Sequence, residues 1–278
     1  MDKSIDHIHS YYSPNDLYNK IIEGLDKLGK DLSEVTLDDL QPVDEFHIRG
    51  DTATHELIKL SGFTPDMHIL DVGCGIGGST RRLAHETGCR VTGIDLSDEY
   101  IDTAQRLTQL LKMQERVDFH AASALELPFD DNFFDGVWSI QMNMNVEDKL
   151  SWLSETCRVL KPGGRAVLYE VHGGKNSPPY FPVPWAQDDS MSFLVPPEDF
   201  RSVITSAGFD VAVWNDKTDL ARQAFAKVKE PVGEPKLPVL GVYMLVGTDI
   251  STKAYNLHRN LEEERVSLIE TVAIKPNS

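Results

Sequence analysis

The chain has 278 residues, of which 41% are hydrophobic, and its 44 acidic and 27 basic residues give a formal net charge of −17. This length and hydrophobic share can bury a full core, either as one large α/β domain or as a domain with a modest cap. A surface this negative repels phosphate backbones and anionic lipids, so we expect neither a nucleic-acid partner nor stable membrane insertion. The polar N-terminus and three scattered cysteines indicate a cytoplasmic protein without a metal site.

Residues 1–64 are predicted to form a helical segment ahead of the main domain. Residues 13–16, Ser-Pro-Asn-Asp, have the residue types that start a helix. Apolar residues then recur at helical spacing, at Leu17, Ile21, Leu25 and Leu28. Residues 38–50 are polar and acidic and are expected to form a loop, after which Asp51 caps a short helix that ends at Gly62.

From residue 67 onward, short apolar runs alternate with helical patterns. Strands are predicted at residues 68–73, 90–96, 117–122, 134–140 and 166–171, and helices at residues 79–88, 97–112 and 148–160. This strict alternation implies a parallel, doubly wound sheet of the Rossmann-like α/β class. The ligand of such a sheet lies beyond the carboxyl ends of its strands.

The chain changes character after the fifth predicted strand. The proline-rich loop, residues 173–197, is dense in proline and aromatic residues and is expected to be an ordered loop or lid. A helix from Pro197 to Gly208 and a strand at residues 209–214 follow, and residues 266–274 form the predicted last strand. We therefore expect a core formed by residues 65–216 and 264–278, interrupted by a mostly helical inserted cap, residues 217–263.

A glycine-rich turn follows the first predicted strand. Residues 71–78, Asp-Val-Gly-Cys-Gly-Ile-Gly-Gly, allow a tight turn and a close approach of the backbone to a ligand. Gly73, Gly75 and Gly78 also satisfy the GxGxxG pattern of dinucleotide enzymes, and Asp95 lies about 20 residues further on, like the ribose-binding acid of that pattern. An NAD-dependent oxidoreductase is therefore one interpretation.

The carboxylate of Asp71 favours a different ligand. It stands two residues before Gly73, where it would face a pyrophosphate, an electrostatically unfavourable pairing. It suits a ligand whose near end carries an ammonium. S-adenosylmethionine (SAM) carries that ammonium, a sulfonium and a ribose, and it has no phosphate.

Residues 71–78 resemble the first motif of class I SAM-dependent methyltransferases, and later segments match that family in order. Residues 127–135 resemble its LPFxDxxFD stretch, and residues 158–164 resemble its RVLKPGG stretch. The match covers roughly residues 65–172 and resumes at residues 196–214. The resemblance implies a mostly parallel seven-stranded sheet and an enzyme that moves a methyl group from SAM to a small molecule; a SAM-binding subunit without catalysis is a further alternative.

Within the class, the sequence is similar to the sarcosine/dimethylglycine N-methyltransferases and to the ubiquinone/menaquinone-biosynthesis C-methyltransferases. The quinone-type pattern has Gly-Asp-Ala before the LPF stretch, and its aspartate reaches the adenine amino group. Here Ala122, Ser123 and Ala124 stand at those positions, so a serine replaces the charged group. This departure and the overall acidity favour an amine acceptor, with C- or O-methylation of a quinone, phenol or secondary metabolite as the alternative.

The expected site combines three sets of residues. SAM contacts are expected from Asp71, Gly73, Cys74, Gly75, Asp95, Leu96, Ser123, Ala124 and Gln141. Substrate contacts are expected from Tyr11, Gln141, Tyr180 and Trp185. His47 and His172 are candidate general bases, because histidine can exchange a proton near neutral pH. The expected partner is a small-molecule substrate, and the sequence leaves a homodimer open.

Overall fold

The computed structural model describes residues 8–12, 16–233 and 236–277. Seven strands are β1 (His68–Val72), β2 (Arg90–Asp95), β3 (Val117–Ala121), β4 (Phe134–Ile140), β5 (Leu160–Gly173), β6 (Asp210–Asp216) and β7 (Val266–Ile274). They form one sheet in the order β3-β2-β1-β4-β5-β7-β6. The first five in that order pair in parallel, and β7 runs antiparallel to both β5 and β6. The expected mostly parallel, seven-stranded Rossmann-like sheet is therefore confirmed.

Helices pack on both faces of this sheet. They are α1 (Leu17–Lys27), α2 (Leu37–Asp44), α3 (Gly50–Ser61), α4 (Gly78–Thr87), α5 (Asp98–Leu110), α6 (Lys149–Val159), α7 (Pro197–Ser206), α8 (Thr218–Phe225), α9 (Tyr243–Val246) and α10 (Ile250–Glu262). Residues 8–11 are also helical, whereas residues 13–15 of the predicted helix start lie outside the described residues. None of the helices in the described ranges has the length and apolar content needed to span a bilayer.

Helix α2 occupies a stretch for which the sequence predicted a loop. Its start is fixed by a capping box, in which the Thr36 hydroxyl accepts a hydrogen bond from the Asp39 N–H and the Asp39 carboxylate accepts one from the Thr36 N–H. The box has aspartate where glutamate or glutamine is usual, and Pro42 lies inside the helix, so the pattern resembled a loop. Burial of Leu40 and Val43 then holds the helix against the domain.

Strand β5 is longer than predicted at both ends. It begins at Leu160, directly before the Lys-Pro-Gly-Gly stretch, and it continues to Gly173. Its whole second half pairs with β7, from Arg165 opposite Ile274 to Gly173 opposite Val266. This pairing carries β5 past the carboxyl ends of its neighbours, and the proline-rich loop begins from that extension.

Candidate functional site

A cavity of about 720 Å³ opens at the carboxyl ends of β1, β2 and β4. This volume lies in the range of small-molecule and cofactor sites. Eight of the residues expected to contact SAM line it, namely Gly73, Cys74, Gly75, Asp95, Leu96, Ser123, Ala124 and Gln141. The parallel strands end at the same edge of the sheet, which brings these residues from four separate stretches of sequence to one wall.

The glycine loop after β1 forms part of this cavity wall. The N–H groups of Gly73 and Cys74 each donate to the Ile94 carbonyl at 2.9 Å, which ties the loop to the end of β2. Gly75 has a φ of 55°, and a Cβ built there has no atom within 4 Å, so it would project into open space. The backbone at Gly75 is therefore exposed to a ligand in a way that no other residue type permits.

Asp95 connects the glycine loop to the start of α5. One carboxylate oxygen accepts from the Gly75 N–H at 2.9 Å and the other from the Ser97 N–H at 3.0 Å. Burial raises the pKa of this carboxyl, and the two backbone donors partly offset that effect. The carboxylate thus lines the cavity in a fixed orientation, with lone pairs left for a ligand's hydroxyl groups.

Asp71 lies beneath the loop, not in the cavity wall, which corrects its expected contact with the SAM ammonium. Its side chain is 1% exposed, and its carboxylate accepts a hydrogen bond from the Thr80 hydroxyl at 2.6 Å. Burial raises the pKa of Asp71 to about 7. The residue therefore acts on the first turn of α4 and on the loop above it, because β1 directs the side chain into the interior.

Ser123 lines the cavity where the adenine-binding residue was expected. Its Oγ accepts a hydrogen bond from the Leu125 N–H at 3.2 Å, so the hydroxyl proton is free to be donated elsewhere. Its contact with SAM stays a prediction.

Gln141, directly after β4, has an unusual backbone conformation. Its φ of 52° lies in the left-handed region, which glutamine rarely adopts. Its N–H donates to the Tyr169 carbonyl at 2.8 Å, and its Oε1 accepts from the Ile48 N–H at 3.2 Å. Nε2 is buried and has no hydrogen-bond partner among the described residues. The side chain therefore links the β4 end to the N-terminal segment and presents an unsatisfied donor.

His47 lines the cavity beside a buried carboxyl group. Its Nε2 lies 3.1 Å from both the Gly50 carbonyl and Thr54 Oγ1, and the Thr54 hydroxyl donates to the Glu45 carboxylate at 2.7 Å. The carbonyl can only accept, and the single Thr54 proton is used on Glu45, so Nε2 carries the ring proton. Burial lowers the pKa of His47 to about 4 and raises that of Glu45 to about 7. His47 is therefore neutral, with Nδ1 as its proton acceptor.

The structure does not bring His172 to the cavity wall, which corrects its expected place as a base. Because β5 continues past Val171, His172 pairs opposite Ser267 within the sheet. Its side chain is 1% exposed, and its ring centroid lies 4.8 Å from that of Phe200 on α7. Burial lowers the pKa of His172 to about 3, so the ring is a neutral packing group.

Of the aromatic residues expected to contact substrate, Trp185 alone lines the cavity. Tyr180 is away from it, with the guanidinium groups of Arg259 and Arg265 at 4.1 and 4.0 Å from its ring centroid. Tyr11 is not a lining residue, and it donates its hydroxyl proton at 3.0 Å to the carbonyl of Pro184, which is one. Its neighbour Tyr12 lines the cavity instead, because successive residues of a helical turn face different directions.

Sequence reasoning missed Asn145, which joins three walls of the cavity. Its Nδ2 donates to the Trp185 and Met191 carbonyls, each at 2.9 Å, and its Oδ1 accepts from the Tyr12 hydroxyl at 3.1 Å. The available signal was the alternation Met-Asn-Met-Asn at residues 142–145, directly after a strand.

Comparisons with known proteins place these features in context. A methyltransferase domain family matches residues 70–168. The O-methyltransferase cnsE of Penicillium expansum is 31% identical over 76% of this chain and 77% of its own length. The sarcosine/dimethylglycine N-methyltransferase of Halorhodospira halochloris is 26% identical over 82% of this chain and 81% of its own. The chain spans a smaller part of the length of two other curated relatives, namely 59% of the first and 48% of the second.

The fold also recurs among solved structures. Geranyl diphosphate C-methyltransferase from Streptomyces coelicolor, in complex with Mg²⁺, geranyl-S-thiolodiphosphate and S-adenosyl-L-homocysteine, superimposes with a TM-score of 0.71 at 17% identity. The superposition covers 99% of this chain and 98% of that one. At this identity the likeness concerns the fold, including the helical segments that cover the sheet edge.

Proposed function

This chain belongs to the class I SAM-dependent methyltransferases, and on that premise we propose that it transfers a methyl group from SAM to an apolar small molecule held in the same cavity. A single observation carries the proposal. The glycine loop and Asp95 line the same cavity as apolar side chains from three covering segments.

The residues at the strand ends fit SAM. The open space above Gly75 admits a ligand against the backbone, and the lone pairs of Asp95 can accept from ribose hydroxyl groups. Cys74, Leu96 and Ala124 add apolar contacts around these polar groups. SAM supplies a methyl group already activated on a sulfonium, so the chain's main task is to orient the acceptor and exclude water.

The covering segments supply the acceptor end of the cavity. The N-terminal segment contributes Tyr12 and Ile48, and the proline-rich loop contributes Trp185 and Phe193. The inserted cap contributes residues from α8, α9 and α10, namely Phe225, Leu245, Ile250, Ala254 and Leu257. These walls favour an apolar acceptor, because burial of apolar surface gives roughly 25 cal/mol per Å².

His47 is the residue we propose as general base. Its neutral ring leaves Nδ1 free to take a proton, and a Glu45 carboxylate oxygen lies 3.5 Å from Nε2. As the ring gains charge, that carboxylate stabilises the imidazolium, because opposite charges interact strongly when shielded from water. An oxygen or carbon acceptor needs such a base, whereas an amine that arrives deprotonated does not.

The sequence favoured an amine acceptor, which is the alternative to the oxygen acceptor proposed below. By their names, relatives of this chain methylate oxygen as well as nitrogen, so the names lend the amine no particular support.

Calorimetric titration with SAM and, separately, with NAD tests the cofactor. We expect micromolar or tighter binding of SAM and none of NAD, and the reverse result would contradict the proposal. Release of S-adenosylhomocysteine with apolar phenols, alcohols and amines then tests the transfer. Binding of SAM without turnover of any acceptor would favour a non-catalytic subunit.

A further inference from the structure

We propose that the methyl acceptor is an uncharged apolar molecule whose hydroxyl oxygen accepts a hydrogen bond from the side-chain amide of Gln141. The inference rests on the proposed function and names the acceptor class of that site. It depends on the orientation of one amide, on the backbone that carries it and on the walls around it.

The orientation of the amide is fixed by its partner. The Ile48 backbone N–H lies 3.2 Å from Oε1, and a backbone N–H can only donate, so oxygen must face it. The two hydrogens of Nε2 then point away from Ile48, and Nε2 is buried without a partner among the described residues. A buried donor without a partner is costly, and a ligand oxygen that displaces the groups now covering Nε2 would satisfy it.

The backbone around Gln141 holds this donor in place at the expense of strain. A φ of 52° is unfavourable for glutamine, and such conformations persist only where the surroundings enforce them. The surroundings here are specific. The next two N–H groups, of Met142 and Asn143, donate to the buried Glu170 carboxylate at 3.0 and 2.9 Å, and the Gln141 N–H donates to the Tyr169 carbonyl.

Gln141 also lies close to the loop expected to hold SAM. It follows β4, which pairs with β1 at Asp71 opposite Trp138, so it lies beside the glycine loop. A Cβ on Gly73 would contact the side chain of Met142, which shows how closely the two loops approach. Gln141 therefore lines the cavity next to the glycine loop.

A donor at this position distinguishes acceptor classes. A hydroxyl oxygen has two lone pairs, so it can accept from Nε2 with one and attack with the other. A protonated amine has no lone pair to offer and would meet a second set of hydrogens. Two other donors of this region are already used, since the Tyr12 hydroxyl bonds Asn145 and the Trp185 ring N–H donates to Ser192 at 3.0 Å.

The transfer balances with the groups present. A lone pair of the acceptor oxygen forms the bond to the methyl carbon, and the carbon–sulfur bond breaks with its electron pair left on sulfur. The hydroxyl proton passes to Nδ1 of His47. The products are a neutral methyl ether, neutral S-adenosylhomocysteine and a protonated His47, which returns its proton to solvent when the cavity opens.

The experiment compares two probes of similar size on the protein saturated with S-adenosylhomocysteine. One is 2-naphthol, which is neutral at pH 7, and the other is 2-naphthylmethylamine, which is protonated there. We expect 2-naphthol to bind at least tenfold more tightly by calorimetry. The Gln141→Glu variant keeps an oxygen for Ile48 but replaces the donor by an acceptor, and it should remove or reverse that preference. Gln223→Glu, an exposed change of equal charge on α8, should leave it unchanged.

The inference is wrong if the ammonium probe binds the unaltered protein as tightly as 2-naphthol, as a cation stacked on Trp185 would. It is also wrong if 2-naphthol fails to bind at millimolar concentration or if folded Gln141→Glu keeps the original preference. The comparison on the unaltered protein decides the matter if the variant does not fold. Failure of the protein to bind S-adenosylhomocysteine at all would instead refute the proposed function.

Discussion

The Asp95 carboxylate accepts a hydrogen bond from the Gly75 N–H at 2.9 Å. This bond joins the end of β2 to the loop that follows the neighbouring strand β1. The same carboxylate holds Ser97 at the start of α5, so one side chain positions both the loop and the helix that border the SAM end of the cavity. The residue expected to bind the ribose thus also shapes the surface on which the ribose would lie.

Replacement of Asp95 by alanine should weaken SAM binding at least tenfold. Loss of charge-assisted hydrogen bonds costs about 1.5–3 kcal/mol, and the freed loop adds to that loss. Calorimetry on the folded variant measures the effect, and Asp98→Ala, an exposed change on α5, is the matched control. Unaltered SAM affinity in Asp95→Ala would remove this carboxylate from the binding site.

Replacement of Gly75 by valine should abolish SAM binding while the protein still folds. The added side chain enters open space in the cavity, so it displaces the ligand without contacting protein atoms. Gly29→Val is the matched control, because Gly29 has a similar positive φ of 71°, also has open space around its Cβ position and is distant in sequence from the glycine loop. Equal backbone strain of about 1–2 kcal/mol is expected at both positions. Normal SAM titration of Gly75→Val would show that the loop does not approach the cofactor.

Replacement of Trp185 by phenylalanine should raise the acceptor's KM or lower kcat, with SAM affinity changed much less. The indole lines the acceptor end of the cavity and is 2% exposed, and its N–H bonds Ser192. Phenylalanine keeps most of the packing that alanine would lose at a cost of roughly 3–5 kcal/mol. The buried Trp152 lies outside the lining, so Trp152→Phe controls for stability. Parallel losses of SAM and acceptor binding would mean that Trp185 supports the fold.

The stability of the ligand-free protein should fall as pH rises from about 5 to 8. Burial raises the pKa of Asp71 to about 7, so between its unfolded pKa and that value the folded state holds a proton that the unfolded state has lost. This contribution to stability is complete below the pKa of Asp71 in the unfolded state. It is lost as the pH rises through the pKa of Asp71 in the folded state. Glu45 and Glu170, also with pKa values raised to about 7 by burial, act in the same direction.

Asp71→Asn should flatten this dependence of stability on pH. A pKa shift of this size accounts for at most about 4 kcal/mol of the change in the free energy of unfolding. The amide oxygen can still accept from Thr80, so the fold is retained. Denaturant unfolding at several pH values measures the slope, with Asp98→Asn as the exposed control. A slope equal to that of the unaltered protein would show that Asp71 is not buried as an acid.

Much of the fold follows from local patterns that the sequence carries on its own. Apolar runs that end in glycine or acid define β1 and β2, and β-branched residues define β7, because strand and turn preferences act between near neighbours. Part of the cavity lining could be predicted for the same reason, since Gly73, Gly75 and Asp95 all belong to strand-end turns. The capping box of α2 is local too, but its aspartate form lies outside the usual pattern.

Contacts between distant segments decided the rest. His172 lies near the end of β5 and Tyr180 lies in the proline-rich loop that follows it. The first is paired within the sheet, and the second is held by Arg259 and Arg265. The direction of the Gln141 amide is set by Ile48, 93 residues earlier in the chain. Sequence periodicity specifies which face a residue occupies within its own element, whereas the partner on that face exists only after the elements have packed. The sequence by itself therefore determined the sheet and the strand-end turns that line the cavity, and the tertiary structure determined which side chains cover them.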